Sequence, residues 1–153
     1  MIGRQWHGGA AWVMLAAWAA LLQGCAEKPA APAASQTRVF ASDLAGGAKQ
    51  CEAPKPALAD GKATQVAVQV VNDGGWCGIT VQHNGGPYDA GLLTEAPAHG
   101  KVYIHPVGDF TRIDYTPEAG FAGADNFTVE LLPGHATIRA SVTVTKPGAA
   151  AAK

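Results

Sequence analysis

Residues 137–145 near the end of this chain alternate without a break: Ile138, Ala140, Val142 and Val144 fall on one parity, and Thr137, Arg139, Ser141, Thr143 and Thr145 on the other. A period of two places the branched apolar side chains on one face of an extended strand and the polar ones on the opposite face. Val66, Val68 and Val70 repeat the pattern against Gln65, Ala67 and Gln69. Such alternation suits an antiparallel sheet with one solvated face. Between these stretches, residues 76–82, 101–105, 110–115 and 126–132 are short β-prone runs bounded by Gly, Pro, Asn or Asp. Asn72-Asp73-Gly74-Gly75 reads as a hairpin turn, and Asn84-Gly85-Gly86-Pro87, Gly108-Asp109 and Pro133-Gly134-His135 supply further turn chemistry. No stretch past residue 45 carries a helical stripe. The fold expected is all-β, a two-sheet antiparallel sandwich of about seven strands. Val39, Phe40 and Leu44 are expected either in a short edge strand or packed across the domain.

The N-terminal region obeys other rules. Residues 10–22 are an apolar run, preceded by Arg4 and closing on Leu22-Gln23-Gly24-Cys25. The run is shorter than the roughly 20 residues a membrane-spanning helix needs, and no basic flank follows it. Leu22, third before Cys25, occupies the position where an ordinary secretory cleavage site prefers a small residue. The pattern resembles the end of a bacterial lipoprotein signal peptide, which implies that Cys25 is acylated, palmitate included, and becomes the first mature residue. Ala26 is not the Asp that resembles an inner-membrane retention signal, so the resemblance implies a cell envelope location at the outer membrane, facing the periplasm or the surface.

The expected organisation is a signal peptide over 1–24, a lipidated Cys25 and Pro/Ala-rich tether over 25–37, a β-domain over 38–146 and a tail over 147–153. Pro and Ala without large apolar residues leave the tether nothing to bury. Setting Arg4 aside, the mature chain has ten Lys and Arg against twelve Asp and Glu and no basic block. Nothing in that balance suggests nucleic acid. Two cysteines remain beside Cys25, Cys51 and Cys77, in a compartment where disulfides persist. They are expected to pair, which would contribute about 3–4 kcal/mol in the chain-entropy model. Two free thiols or a two-cysteine metal site are the alternatives.

Pro97-Ala98-His99-Gly100-Lys101-Val102, Phe110, and the run from Tyr115 and Pro117 through Phe121, Gly123 and Asp125 to Phe127 carry a second resemblance. They are similar to the Pro-x-x-Gly-x-Val and Tyr-x-Pro-x-x-x-Phe-x-Gly-x-Asp-x-Phe pattern of bacterial Ig-like and cadherin-like repeat domains. That resemblance implies an Ig-like sandwich and says little about activity. The residues also make sense without it. Pro117 stops a strand that Tyr115 ends, Phe121 folds over the core edge, Asp125 hydrogen-bonds its own loop, and Phe127 re-enters the core. This is the reading of a structural corner, with a Tyr115/Phe121 binding platform as its rival.

Catalytic chemistry has few footholds. Ser35, Ser42 and Ser141 are the only serines, and none stands in a nucleophile elbow. No enzymatic activity and no cofactor are expected. Calcium at Asn72-Asp73 lacks a neighbouring domain to complete its oxygen cage, and His83, His99, His105 and His135, several of which should fall in loops, are expected to be solvated rather than copper or zinc ligands. The loop from His83 through Tyr88 and Asp89 to Gly91 is the expected contact surface, because Tyr88 is an aromatic with a polar tip. Trp76, beside Cys77, is expected in the core. The partners expected are the lipid bilayer, through Cys25, and an envelope protein or glycan. Binding through loops is the first class, an accessory subunit docking by a sheet edge the second, and a metal-binding or enzymatic periplasmic protein the third.

Overall fold

The computed structural model describes residues 39–148. The expected signal peptide (1–24), Cys25 and the expected tether (25–37), together with residue 38 and residues 149–153 of the expected tail, lie outside the described residues. One short helix, α1 (Ala41–Leu44), precedes eight strands: β1 (Cys51–Glu52), β2 (Ala63–Val71), β3 (Cys77–Val81), β4 (Ala90–Glu95), β5 (Gly100–Val107), β6 (Phe110–Pro117), β7 (Gly123–Leu132) and β8 (Ala136–Thr145). They form a five-stranded sheet in the order β1-β2-β8-β7-β4 and a three-stranded sheet in the order β3-β6-β5. The fold is the expected all-β sandwich. Its β3-β6-β5 and β8-β7-β4 groups reproduce the order of the two immunoglobulin sheets.

Period two places the core as the sequence indicates. Val66, Val68 and Val70 of β2, Phe127, Val129 and Leu131 of β7, and Ile138, Ala140, Val142 and Val144 of β8 line one inner face. Ile79 and Val81 of β3 and Ile113 and Tyr115 of β6 line the other. Tyr115 and Phe127 stack across this core with ring centroids 5.8 Å apart.

Several details depart from the sequence-based expectation. β2 pairs with β8 in parallel over nine residues, from Ala63↔Thr137 to Val71↔Thr145, so the sandwich is not wholly antiparallel. Alternation reports which face is buried rather than the sense of pairing, and here the parallel β2–β8 pair leaves one face exposed as an antiparallel pair does; the long stretch of chain between β2 and β8 supplies the crossover that parallel pairing requires. Asn72-Asp73-Gly74-Gly75 is not a hairpin turn, since it carries the chain from β2 in one sheet to β3 in the other. The segment around Val39, Phe40 and Leu44 is neither an edge strand nor packed across the domain. It forms α1, whose first turn is closed by Phe40 N–H donating to the Asp43 carboxylate at 2.8 Å.

The disulfide joins Cys51 to Cys77 with the Cα atoms 5.3 Å apart. Because β1 belongs to the larger sheet and Cys77 opens β3 in the smaller, this bond links the two sheets. Among the described residues, no helix is long and apolar enough to cross a membrane.

Candidate functional site

Four places on the molecule combine polar or aromatic side chains with unusual surroundings, and each is set by the strand pattern. The first is the corner at the end of β6. The Tyr115 hydroxyl donates to Asp125 Oδ2 at 2.8 Å, and the same carboxylate accepts the backbone N–H groups of Ala98, His99 and Asn126 at 2.9, 3.0 and 2.9 Å. Asp125 therefore binds mainly the β4–β5 connection as well as its own loop, a wider reach than its local spacing implies. Burial alone would raise its pKa, but the hydroxyl and three N–H donors outweigh burial and hold the carboxyl below its ordinary value. The same burial and the Asp125 charge push the Tyr115 phenol well above its ordinary value. Gly100 is needed here because a Cβ at this position would lie 2.4 Å from the Tyr115 ring. Phe121 stacks on His99 at 4.3 Å, and Asn72 Nδ2 donates to the carbonyls of Glu118 and Phe121 at 2.7 and 2.9 Å. The polar groups of this corner are committed to one another. These bonds and the ring stack join Tyr115, Asp125, His99, Phe121 and Asn72 into one corner.

A second place lies on the outer face of the three-stranded sheet. Arg112 and Asp114 point away from the core, yet both are buried. Arg112 Nε donates to Asp114 Oδ1 at 2.8 Å and Nη2 donates to Oδ2 at 2.9 Å. His105 Nε2 lies 3.0 Å from the same Oδ2. The Arg112 guanidinium sits 3.9 Å over the Trp76 ring, and its Nη1 donates to the Asp43 carbonyl. Opposite Asp114 in the register is Gly78, where a Cβ would lie 2.7 Å from the carboxylate. The expectation of a core Trp76 is corrected accordingly. Trp76 precedes β3 outside the sandwich and is half-buried, with its indole N–H donating to the Ala45 carbonyl at 2.9 Å. That hydrogen bond satisfies the indole N–H in its place outside the core.

At the third place, the loop chosen from sequence, the structure brings His83 beside Tyr88 but buries the tyrosine. Asn84 and Gly85 have φ of 50° and 83°, and His83 and Gly86 exchange backbone hydrogen bonds of 2.8 and 3.0 Å, so this is the primed turn that the residue types favour. His83 lies beside Tyr88 with ring centroids 5.0 Å apart and 3.7 Å from Asp60. Tyr88, however, is 7% exposed and belongs to the core, with its N–H donating to Thr111 Oγ1 at 2.9 Å. The expected exposed contact at Tyr88 is corrected, because the chain turns inward after Pro87 to start β4. Burial raises the Tyr88 phenol pKa, with the Asp60 charge adding to the effect. Asp89 is exposed.

Sequence reasoning missed the fourth place, β4. Its register with β7 runs from Ala90↔Leu132 to Leu93↔Val129 and is then broken by an irregularity between Leu93 and Glu95. Among the described residues β4 pairs with β7 only, so its other edge is open. Leu92 and Leu93 on it are 47% and 41% exposed. Ala90-Gly91-Leu92-Leu93 has no alternation and no β-branched residue, which is why the run carries no strand signal. A clue was available in Gly91, which lets Ile104 of the opposite sheet approach; a Cβ there would lie 2.6 Å from Ile104.

Among the described residues, no group of three or more His, Cys, Asp and Glu is placed to hold a metal ion. His135 instead meets Glu130 at 2.6 Å on the surface. The chain matches no known family model, and no curated protein is similar to it.

Proposed function

We propose that this protein is an envelope lipoprotein, anchored at the outer membrane through acylated Cys25, whose Ig-like sandwich is a non-catalytic module that binds a protein partner by strand addition at β4. The observation that carries this reading is the open β4 edge, with exposed Leu92 and Leu93 on successive positions. An unpaired edge offers backbone donors and acceptors to an added strand, and apolar side chains beside it gain from being covered. The irregularity after Leu93 limits the pairing stretch to about four residues, which suits a short peptide segment of a partner more than a long shared sheet. Burial of Tyr88 is what moves the contact from the loop to the edge.

The residue inventory supports a non-catalytic role. Ser42 and Ser141 are exposed on α1 and on the solvent face of β8, and Cys51 and Cys77 are joined to each other. A glycan partner is the second reading. Tyr103 favours it, since the ring is 65% exposed and stacked 4.7 Å from His105.

A photo-crosslinking residue at Leu92 in intact cells tests the proposal, with Ser141, exposed on the central strand β8 of the same sheet, as control. A reproducible protein adduct from position 92 that disappears in an Ala90→Pro variant is expected. No adduct at 92, or equal adducts at 92 and 141, sinks the edge-binding claim. Cys25→Ala is expected to leave the membrane fraction; its retention there would sink the anchoring claim.

A further inference from the structure

The segment closest in sequence to Cys25 carries an apolar surface that the domain does not cover. Val39, Phe40 and Leu44 are 44%, 64% and 71% exposed. Phe40 is the N-cap of α1 and Leu44 its last residue, so the two exposed apolar side chains flank a single helical turn. This segment is not loosely placed. Arg112 Nη1 holds the Asp43 carbonyl, Trp76 Nε1 holds the Ala45 carbonyl, and the backbone exchanges Ala48 N–H to Trp76 O at 2.8 Å and Trp76 N–H to Gly46 O at 3.1 Å. A further bond, Lys49 N–H to Asp73 Oδ2 at 2.9 Å, precedes the Cys51–Cys77 bond. The fold thus fixes the polar backbone of residues 43–49 to the sheet and leaves the side chains of Val39, Phe40 and Leu44 exposed.

Building on the proposed Cys25 anchor, we infer that Val39, Phe40 and Leu44 dock on the surface of the bilayer that holds that anchor, and so set how the sandwich stands on the membrane. Chain length selects the lipid surface over other occupants. Fully extended, the stretch from Cys25 to Val39 reaches at most about 50 Å, so α1 cannot leave the neighbourhood of the bilayer. Tethering makes contact an intramolecular event at an effective concentration in the millimolar range. An aromatic and two aliphatic side chains on a short amphipathic element suit the boundary between headgroups and acyl chains. Arg38, next in sequence to Val39, adds a charge of the sign that anionic headgroups attract. Beside the acyl chains proposed at Cys25, a contact of this kind adds a second, weaker hold on the same membrane.

The test uses the full-length acylated protein reconstituted into phosphatidylethanolamine/phosphatidylglycerol vesicles, with a nitroxide at Leu44→Cys or, as an aqueous reference, at Ser141→Cys. Collision with a water-soluble nickel chelate is expected to fall at least about fivefold at position 44 relative to 141, while oxygen collision rises. Phe40→Asp, an exposed change that leaves the near-ultraviolet circular dichroism unaltered, is expected to abolish that shielding. Flotation of the vesicles separates the two claims. Protein that floats with position 44 as accessible as 141 overturns docking and leaves the anchor standing; protein that does not float overturns both. Shielding that persists without vesicles and grows with protein concentration would show a second copy as the occupant and overturn the inference.

Discussion

Asp125 and Asp114 are both buried carboxylates, set at opposite faces of β6, and they are stabilised by different means. Asp125 faces no cation; its oxygens are occupied by the Tyr115 hydroxyl and three backbone N–H groups. Asp114 is held by the Arg112 guanidinium in a two-pronged pair with His105 beside it. Backbone donors cannot be swapped by mutation, so the first arrangement is tied to the path of the chain at the corner. An ion pair can be replaced as a unit by apolar side chains at little net cost, whereas loss of one partner strands a buried charge. The comparison separates a carboxylate that defines the fold from one that fastens an attached segment.

The largest expected effect is on the ion pair. Asp114→Ala leaves Arg112 without its counter-charge and is expected to destabilise the domain by about 3–5 kcal/mol in urea unfolding. The double change Arg112→Met, Asp114→Leu is expected to recover most of that loss; a double variant as unstable as the single would break the distinction. Asp125→Ala follows at about 2–4 kcal/mol, because the Tyr115 hydroxyl and N–H donors lose their acceptor. No apolar partner change at Tyr115 should rescue it, since the Ala98 and His99 N–H groups remain orphaned.

Steric tests come next. Gly100→Ala drives a Cβ into the Tyr115 ring and is expected to cost about 1–3 kcal/mol. Gly78→Ala meets the Asp114 carboxylate and Arg112 methylenes instead, and should cost less by the same measurement. Tyr115→Phe is expected to cost about 1 kcal/mol by removing one hydrogen bond to a charged group.

The smallest effects are pH limbs. Asp125 has a folded pKa below its ordinary 3.8, so its contribution is complete above that value and is lost as pH falls toward the folded pKa. Tyr115 has a folded pKa above its ordinary 10.0, so its contribution is complete below that value and is lost as pH rises toward the folded pKa. Stability measured against pH should show an acid limb that Asp125→Asn flattens and an alkaline limb that Tyr115→Phe flattens. Unchanged limbs in both variants would remove the corner from the account of pH dependence.

How legible these features are follows from how local their causes are. The β2 and β8 patterns announce buried faces because alternation is a property of adjacent residues. Tyr115, Pro117, Gly123 and Asp125 are readable as a corner for the same reason, although Asp125's bonds to Ala98 and His99 come from a distant loop. Arg112 and Asp114 have the parity of solvent-facing positions on β6, so their burial is invisible until residues 43–48 are laid over them. Tyr88 looks like a loop aromatic because it follows Gly85-Gly86-Pro87, and only the inward turn into β4 hides it. Exposure in these cases is decided by segments far away in sequence.

The Cys51–Cys77 bond also has a mechanical consequence. A pull applied to the chain at Val39 would first peel α1 and residues 45–50 from Arg112 and Trp76, lengthening the molecule by about 40 Å. The load would then meet a covalent bond that divides it between β1 and β3, one in each sheet. Tension on the N-terminal side thus first draws out a short, re-formable extension and then enters both sheets at once, while the chain between Cys51 and Cys77, β2 included, cannot lengthen until the disulfide is reduced.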